Sequence, residues 1–224
     1  MLVATGCTPS QDKQDKFVFA LVDKTDSPRV LTNYEKALAK IQVSLQGGGR
    51  VIISPIWETK QKISPWLDET LESESILDNP LERQEKVRVF RKNLERGMSD
   101  ALHSPYGAEK SAILHTLVKV SEIMASVPAD KKVLLILSDM LENSDEVNFY
   151  RSRKLRSDPS AVLKDISAKA GIPNLVGVNV YIVTSSGIGD DILAEHVEKF
   201  WRLYFGKTGS LLKQYTPYLA SDLD

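Results

Sequence analysis

The chain has 224 residues, 42% hydrophobic and 26% charged, a length that suits one or two domains with a sizeable core. Its 29 basic and 30 acidic residues leave a formal net charge of −1, so no bulk charge marks it for coating a polyanion. A single cysteine, Cys7, excludes an internal disulfide framework and a multi-cysteine zinc site, and no apolar run approaches the roughly 18–20 residues of a membrane-spanning helix.

In chain order, residues 1–16 read as a flexible tether and residues 17–224 as one domain. The segment Leu2-Val3-Ala4-Thr5-Gly6-Cys7 resembles the end of a bacterial lipoprotein signal, in which the cysteine becomes the lipidated first residue. Only six residues precede Cys7, whereas an export signal needs a charged region and about 7–15 apolar residues. The expectation is therefore an upstream signal and a cell-envelope lipoprotein, favoured slightly over an ordinary thiol in a cytoplasmic protein. Membrane attachment is expected only through such an anchor on Cys7.

Phe17 to Val22 is continuously apolar and ends in Asp23, as a strand buried on both faces would. Ala37, Leu38, Ile41 and Leu45 fall at helical spacing, and Gly47-Gly48-Gly49 stops that helix before a second strand, residues 50–56. Residues 57–80 read as an irregular insertion with one short strand or helix. Leu81, Val87, Phe90, Leu94, Met98 and Leu102 then describe a long amphipathic helix, its Arg83, Lys86, Arg88, Arg91, Lys92 and Arg96 forming a solvated face. Further elements are a helix over 111–126, a strand over 132–137 ending in Ser138-Asp139, a helix over 161–170, a strand over 177–183 and a helix over 190–205. Arg151 to Arg156 reads as a solvated loop; on the last helix Phe200, Leu203 and Tyr204 face the sheet while Trp201 caps its edge. Strands alternating with helices imply an α/β fold: three layers, a doubly wound, mostly parallel sheet with helices on both faces.

In such a sheet ligands bind outside the carboxyl ends of the strands, where strand order reverses. The first strand delivers Asp23-Lys24-Thr25-Asp26-Ser27, whose alternating Asp23, Thr25 and Ser27 oxygens suit a hard cation such as Mg²⁺, Mn²⁺ or Ca²⁺. Asp-x-Thr-x-Ser after an apolar strand resembles the Asp-x-Ser-x-Ser loop of von Willebrand factor A domains. Ser111-Ala112-Ile113-Leu114-His115-Thr116-Leu117 is similar to the family's Thr-x-Ile-x-x-Ala-Leu, with Ser111 in the ligand position and Ser104 an alternative donor. Leu137-Ser138-Asp139-Met140 matches the family's Ser-Asp-Gly, with Met140 in place of glycine.

The resemblance implies a divalent cation, Mg²⁺ foremost, held by Asp23, Thr25, Ser27, Ser111 and Asp139, with one position open to a carboxylate from another protein. Lys24, Asp26, Pro105, Tyr106 and Glu142 would flank it as surface residues. It implies adhesion or scaffolding rather than turnover; a metal-free structural subunit of an envelope assembly is one alternative, and a Mg²⁺-dependent phosphohydrolase or nuclease another. The enzymatic readings lack residues: Thr25 stands where a phosphatase Asp-x-Asp needs its second acid, and two-metal nucleases want three or four carboxylates. His115 and His196 fall within helical patterns and His103 at a helix end, with no Gly-x-Ser-x-Gly elbow or P-loop lysine nearby. No nucleic-acid partner is expected.

Overall fold

A computed structural model describes residues 14–23, 31–57, 64–75, 78–103, 110–184 and 190–224. Among them the strands are β1 (Gln14–Val22), β2 (Gly49–Pro55), β3 (Leu67–Leu71), β4 (Ala129–Leu137), β5 (Val178–Val183) and β6 (Leu211–Thr216). The helices are α1 (Leu31–Ser44), α2 (Pro80–His103), α3 (Ile113–Ser126), α4 (Arg153–Ser157), α5 (Pro159–Ala170) and α6 (Asp191–Thr208). Thr25, Ser27, Cys7, Ser104 and the flanking Lys24, Asp26, Pro105 and Tyr106 lie outside the described residues.

One six-stranded sheet runs in the order β3-β2-β1-β4-β5-β6, parallel except for β3, which pairs antiparallel with β2. Side chains alternate across each strand, so β1 sends Phe17, Phe19 and Leu21 to one face and Val18, Ala20 and Val22 to the other. The first face packs on α3, α4, α5 and α6; the second packs on α1, α2 and the C-terminal Leu219 and Leu223. This is the expected three-layer α/β architecture. Burial on both faces explains why β1 and β4 read as unbroken apolar runs.

Four details depart from the sequence reading. β1 begins at Gln14, so residues 14–16 of the expected tether pair with β4. Arg151 to Arg156 is not wholly loop: Ser152 caps α4 by accepting from the Leu155 N–H, Leu155 is buried, and Lys154 and Arg156 form ion pairs with Asp165 and Asp190. Trp201 is fully buried rather than an edge cap, whereas Leu203 is exposed, because the buried stripe of α6 runs Leu193, Val197, Phe200, Trp201, Tyr204, Phe205. Arg83 leaves the solvated face of α2 to donate to the carbonyls of Glu72 and Gly47.

The insertion contributes β3, and α2 lies across it at Gly97, where an added Cβ would stand 2.7 Å from the Leu67 Cβ. Gly97→Ala is therefore expected to destabilise the chain. Alanine adds about 1 kcal/mol of helix propensity, but overpacking against a backbone-anchored Cβ costs roughly 1–3 kcal/mol. Urea unfolding checks it; a midpoint above that of the parent would show that α2 shifts freely on β3.

Candidate functional site

From the centre of the sheet the chain turns opposite ways, β1 leading to β2 on one side and β4 to β5 on the other. The reversal opens the crevice between the carboxyl ends of β1 and β4. Register decides which residues meet there. Val22 stands opposite Leu137, so Asp23 and Ser138 leave the sheet side by side, and the Asp23 N–H donates to the Leu137 carbonyl at 2.8 Å. By alternation Asp23 continues the face of Phe19 and Leu21, and Ser138 that of Leu134 and Ile136, the face that α3 covers.

The consequence is a buried oxygen cluster. The Ser138 hydroxyl donates to Asp23 Oδ2 at 2.7 Å and itself accepts from the Met140 N–H at 2.9 Å. The Ser111 hydroxyl reaches Asp23 Oδ1 and Oδ2 at 3.1 and 3.2 Å. Asp23 is 4% exposed, Ser111 3% and Ser138 0%.

Ser111 is placed by its backbone. Asn143 N–H donates to its carbonyl at 3.0 Å, and the next residue, Ala112, donates to the Trp57 carbonyl at 2.9 Å. Ser111 thus lies just ahead of α3 rather than within it, tied to the end of β2 and to the segment after β4. Asp139 is half-buried; its Oδ1 accepts from the Leu141 N–H at 2.8 Å and its Oδ2 from the Tyr150 hydroxyl at 3.4 Å. Of the expected ligands that are described, then, Asp23 and Ser111 touch directly, and Asp139 follows Ser138 and accepts from Leu141 and Tyr150. Ser138 is the cluster member that sequence reasoning missed, although strand parity marks it.

Met140 occupies the position where the resemblance expects glycine, and its φ is +63°, the left-handed conformation that glycine adopts freely. The strain is held from both sides: its N–H goes to Ser138 and its carbonyl accepts from Trp201 Nε1 at 2.7 Å. The side chain is buried in the core.

Glu142 is not the surface residue expected. It is 0% exposed, and its Oε2 accepts from the Leu114 N–H at 2.9 Å, serving the first turn of α3, whose N-cap Ala112 has no side-chain acceptor. Burial foremost, with the charge of Glu146, pushes its carboxyl up to about 7, against the pull of bonds from Ser144, Leu114 and Ile113. In the unfolded chain the same group ionises near 4.5. Its contribution to stability is therefore complete below that lower value, falls as pH rises between the two, and is gone above the upper one. The loss is of the order of 3 kcal/mol. Glu142→Gln is expected to flatten this slope, so that urea midpoints of variant and parent converge in acid and separate, variant higher, above about pH 7. Parallel pH profiles for the two chains would contradict it.

Among the described residues no group of three or more Asp, Glu, His or Cys stands together as a metal cluster, and no helix is long and apolar enough to cross a membrane. His103 ends α2, while His115 and His196 lie within α3 and α6.

The architecture defines the class, a three-layer α/β domain with a polar cluster at its topological switch point. No protein-family model matches the chain, and no curated protein matches it. A structural similarity is found to the crystal structure of the human COPII-coat protein Sec24c, 10% identical, with a TM-score of 0.43. The match covers 92% of this chain and 30% of that one, so the chain spans under a third of the length of that structure.

Proposed function

We propose that the chain is a cation-dependent protein-binding module, not an enzyme, in which a divalent ion at the end of β1 receives a carboxylate from a partner protein. The observation that carries this reading is the convergence of the Asp23, Ser111 and Ser138 oxygens at the switch point. One carboxylate with hydroxyls is a hard, oxygen-only donor set, which fits Mg²⁺ ahead of softer ions. Asp23 would supply the charge, Ser111 and Ser138 their hydroxyl oxygens, and Thr25, Ser27 and Asp139 the remaining donors. The ion would supply electrostatic attraction for an acidic side chain. The resemblance of the loops around Asp23, Ser111 and Asp139 to von Willebrand factor A domains supports the same reading. An envelope lipoprotein anchored through Cys7 is the setting we favour for it.

Calorimetric titration with Mg²⁺ and Mn²⁺ tests the proposal. Saturable heat that disappears in Asp23→Ala and Asp139→Ala is the expected result; heats unchanged by both substitutions contradict it. Capture of a protein partner should then fail in the presence of chelator.

One observation favours a second reading, a metal-free structural subunit: both hydroxyls already donate to Asp23, so the carboxylate is satisfied without an ion. Partner capture insensitive to chelator would select it.

A further inference from the structure

On the α3 side of the sheet, lined by none of Asp23, Ser111 and Ser138, a cavity of about 410 Å³ opens between α3, α5 and the segment after β4. Its apolar lining includes Leu114 and Val118 of α3, Val162 and Ile166 of α5, Val147, and Tyr204 of α6, with His115 among the polar groups. The volume far exceeds a packing defect, a single water occupying about 30 Å³ of liquid, and falls within the roughly 300–1,000 Å³ usual for small-molecule sites. Glu142 lines it together with Ser144.

One oxygen of Glu142 accepts from the Leu114 N–H; the other, Oε1, is buried, and although the nearby Ser144 side chain pulls on the carboxyl, no donor among the described residues meets Oε1 in hydrogen-bond geometry. A buried acceptor left in that condition is costly, and the cost is recovered when a donor arrives. The carboxyl is held firmly for such a role. Its own backbone carbonyl accepts from the Phe149 N–H at 2.9 Å, and the Ser144 N–H donates to the Val147 carbonyl at 3.0 Å, closing the loop that carries it. At the rim Lys154 pairs with Asp165, and Lys169 and Glu146 stand nearby in solvent.

We infer that this cavity is a binding site for a small amine with a compact apolar body, its ammonium group donating to Glu142 Oε1. The lining favours an amine over the other ligand classes. An anion would meet the buried Glu142 carboxylate, whereas the lining lysines are exposed and one of them, Lys154, is paired with Asp165. A metal ion would find Glu142 as the buried carboxylate, with Glu146 and Asp165 exposed, and among the described residues no three acidic or histidine ligands grouped to hold it. A purely apolar ligand would fill the volume yet leave Oε1 unsatisfied. An ammonium group answers it with a charge-assisted bond. The site owes nothing to an ion at Asp23, so it stands or falls separately from the cation-dependent reading.

The test is titration of the full chain with benzylamine and cyclohexylamine, followed by NMR shifts and calorimetry, with benzyl alcohol and toluene as neutral matches of shape. Saturable amine binding, tighter than that of benzyl alcohol, unaffected by chelator and weakened on the order of tenfold or more by Glu142→Gln, is the expected result. Val118→Phe, which fills the cavity and leaves Glu142 in place, should abolish it. Circular dichroism confirms that each variant is folded. Absence of saturable amine binding to the parent chain overturns the inference, as does equal affinity for benzyl alcohol or undiminished binding in a folded Glu142→Gln variant.

Discussion

Trp201→Ala is expected to lower the free energy of unfolding by about 3–5 kcal/mol, the range for emptying a buried aromatic site. Trp201 is 0% exposed and sits among four rings, with centroids of Phe200 at 5.1 Å, Tyr204 at 5.2 Å, Phe205 at 5.9 Å and Phe149 at 6.1 Å. The Phe200 and Tyr204 pairs are edge-on, a geometry that adds to area burial. The indole has a second task, since its N–H donates to the carbonyl of Met140, the residue whose positive φ turns the chain out of β4. Trp201→Phe separates the two tasks. It keeps most of the apolar volume and leaves the Met140 carbonyl without that donor, a cost of about 1–3 kcal/mol. Urea unfolding ranks the three proteins, and amide exchange at Met140 and Leu141 should quicken in the Phe variant. A Phe variant as stable as the parent would mean that the indole hydrogen bond does not hold the turn.

The fold was legible where burial was two-sided. Phe17 to Val22 and Val133 to Leu137 lie between helical layers, so nearly every position is apolar and the strands announce themselves. β6 went unread for the opposite reason. It is an edge strand paired only with β5, and its exposed Leu211 and its Lys213 and Gln214 break any pattern. α4 has five residues and one buried side chain, Leu155, which is too little to register as a period. On α6 the period was visible but the phase was not: choosing Leu203 over Trp201 rotates the buried stripe, and only packing against Phe149 and Met140 fixes it.

The site divides in the same way. Asp23 and Ser111 were readable because an acid ending an apolar strand and a hydroxyl opening a helix are local signals. Ser138 was overlooked beside the more conspicuous Asp139, though Leu134, Ile136 and residue 138 share one face by alternation. Glu142 had no local signal at all. A glutamate in a polar segment reads as solvated, and its burial comes from the distant α3, whose first turn requires an acceptor.

Asp23→Ala should then remove more than an ion ligand. The substitution strips the acceptor from two buried hydroxyls, Ser111 and Ser138, and hydrogen bonds to a charged group are worth about 1.5–3 kcal/mol each, so a loss of about 3 kcal/mol or more in unfolding free energy is expected without any metal present. Asp23→Asn discriminates packing from charge. The amide keeps the shape and one acceptor oxygen, and a serine hydroxyl that now meets the NH₂ group turns to accept from it. Asn should therefore recover much of the stability while still losing the ion. The double replacement of Ser111 and Ser138 by alanine completes the comparison: with the hydroxyls gone, Asp23→Ala should cost less than it does in the parent, because neighbours sharing one hydrogen-bond network are not additive. Chelator-treated protein, unfolded in urea, gives the four free energies needed. A cost for Asp23→Ala that is the same in both backgrounds would show the two serines to be independent of Asp23 and would leave the cluster without the convergence on which the cation site depends.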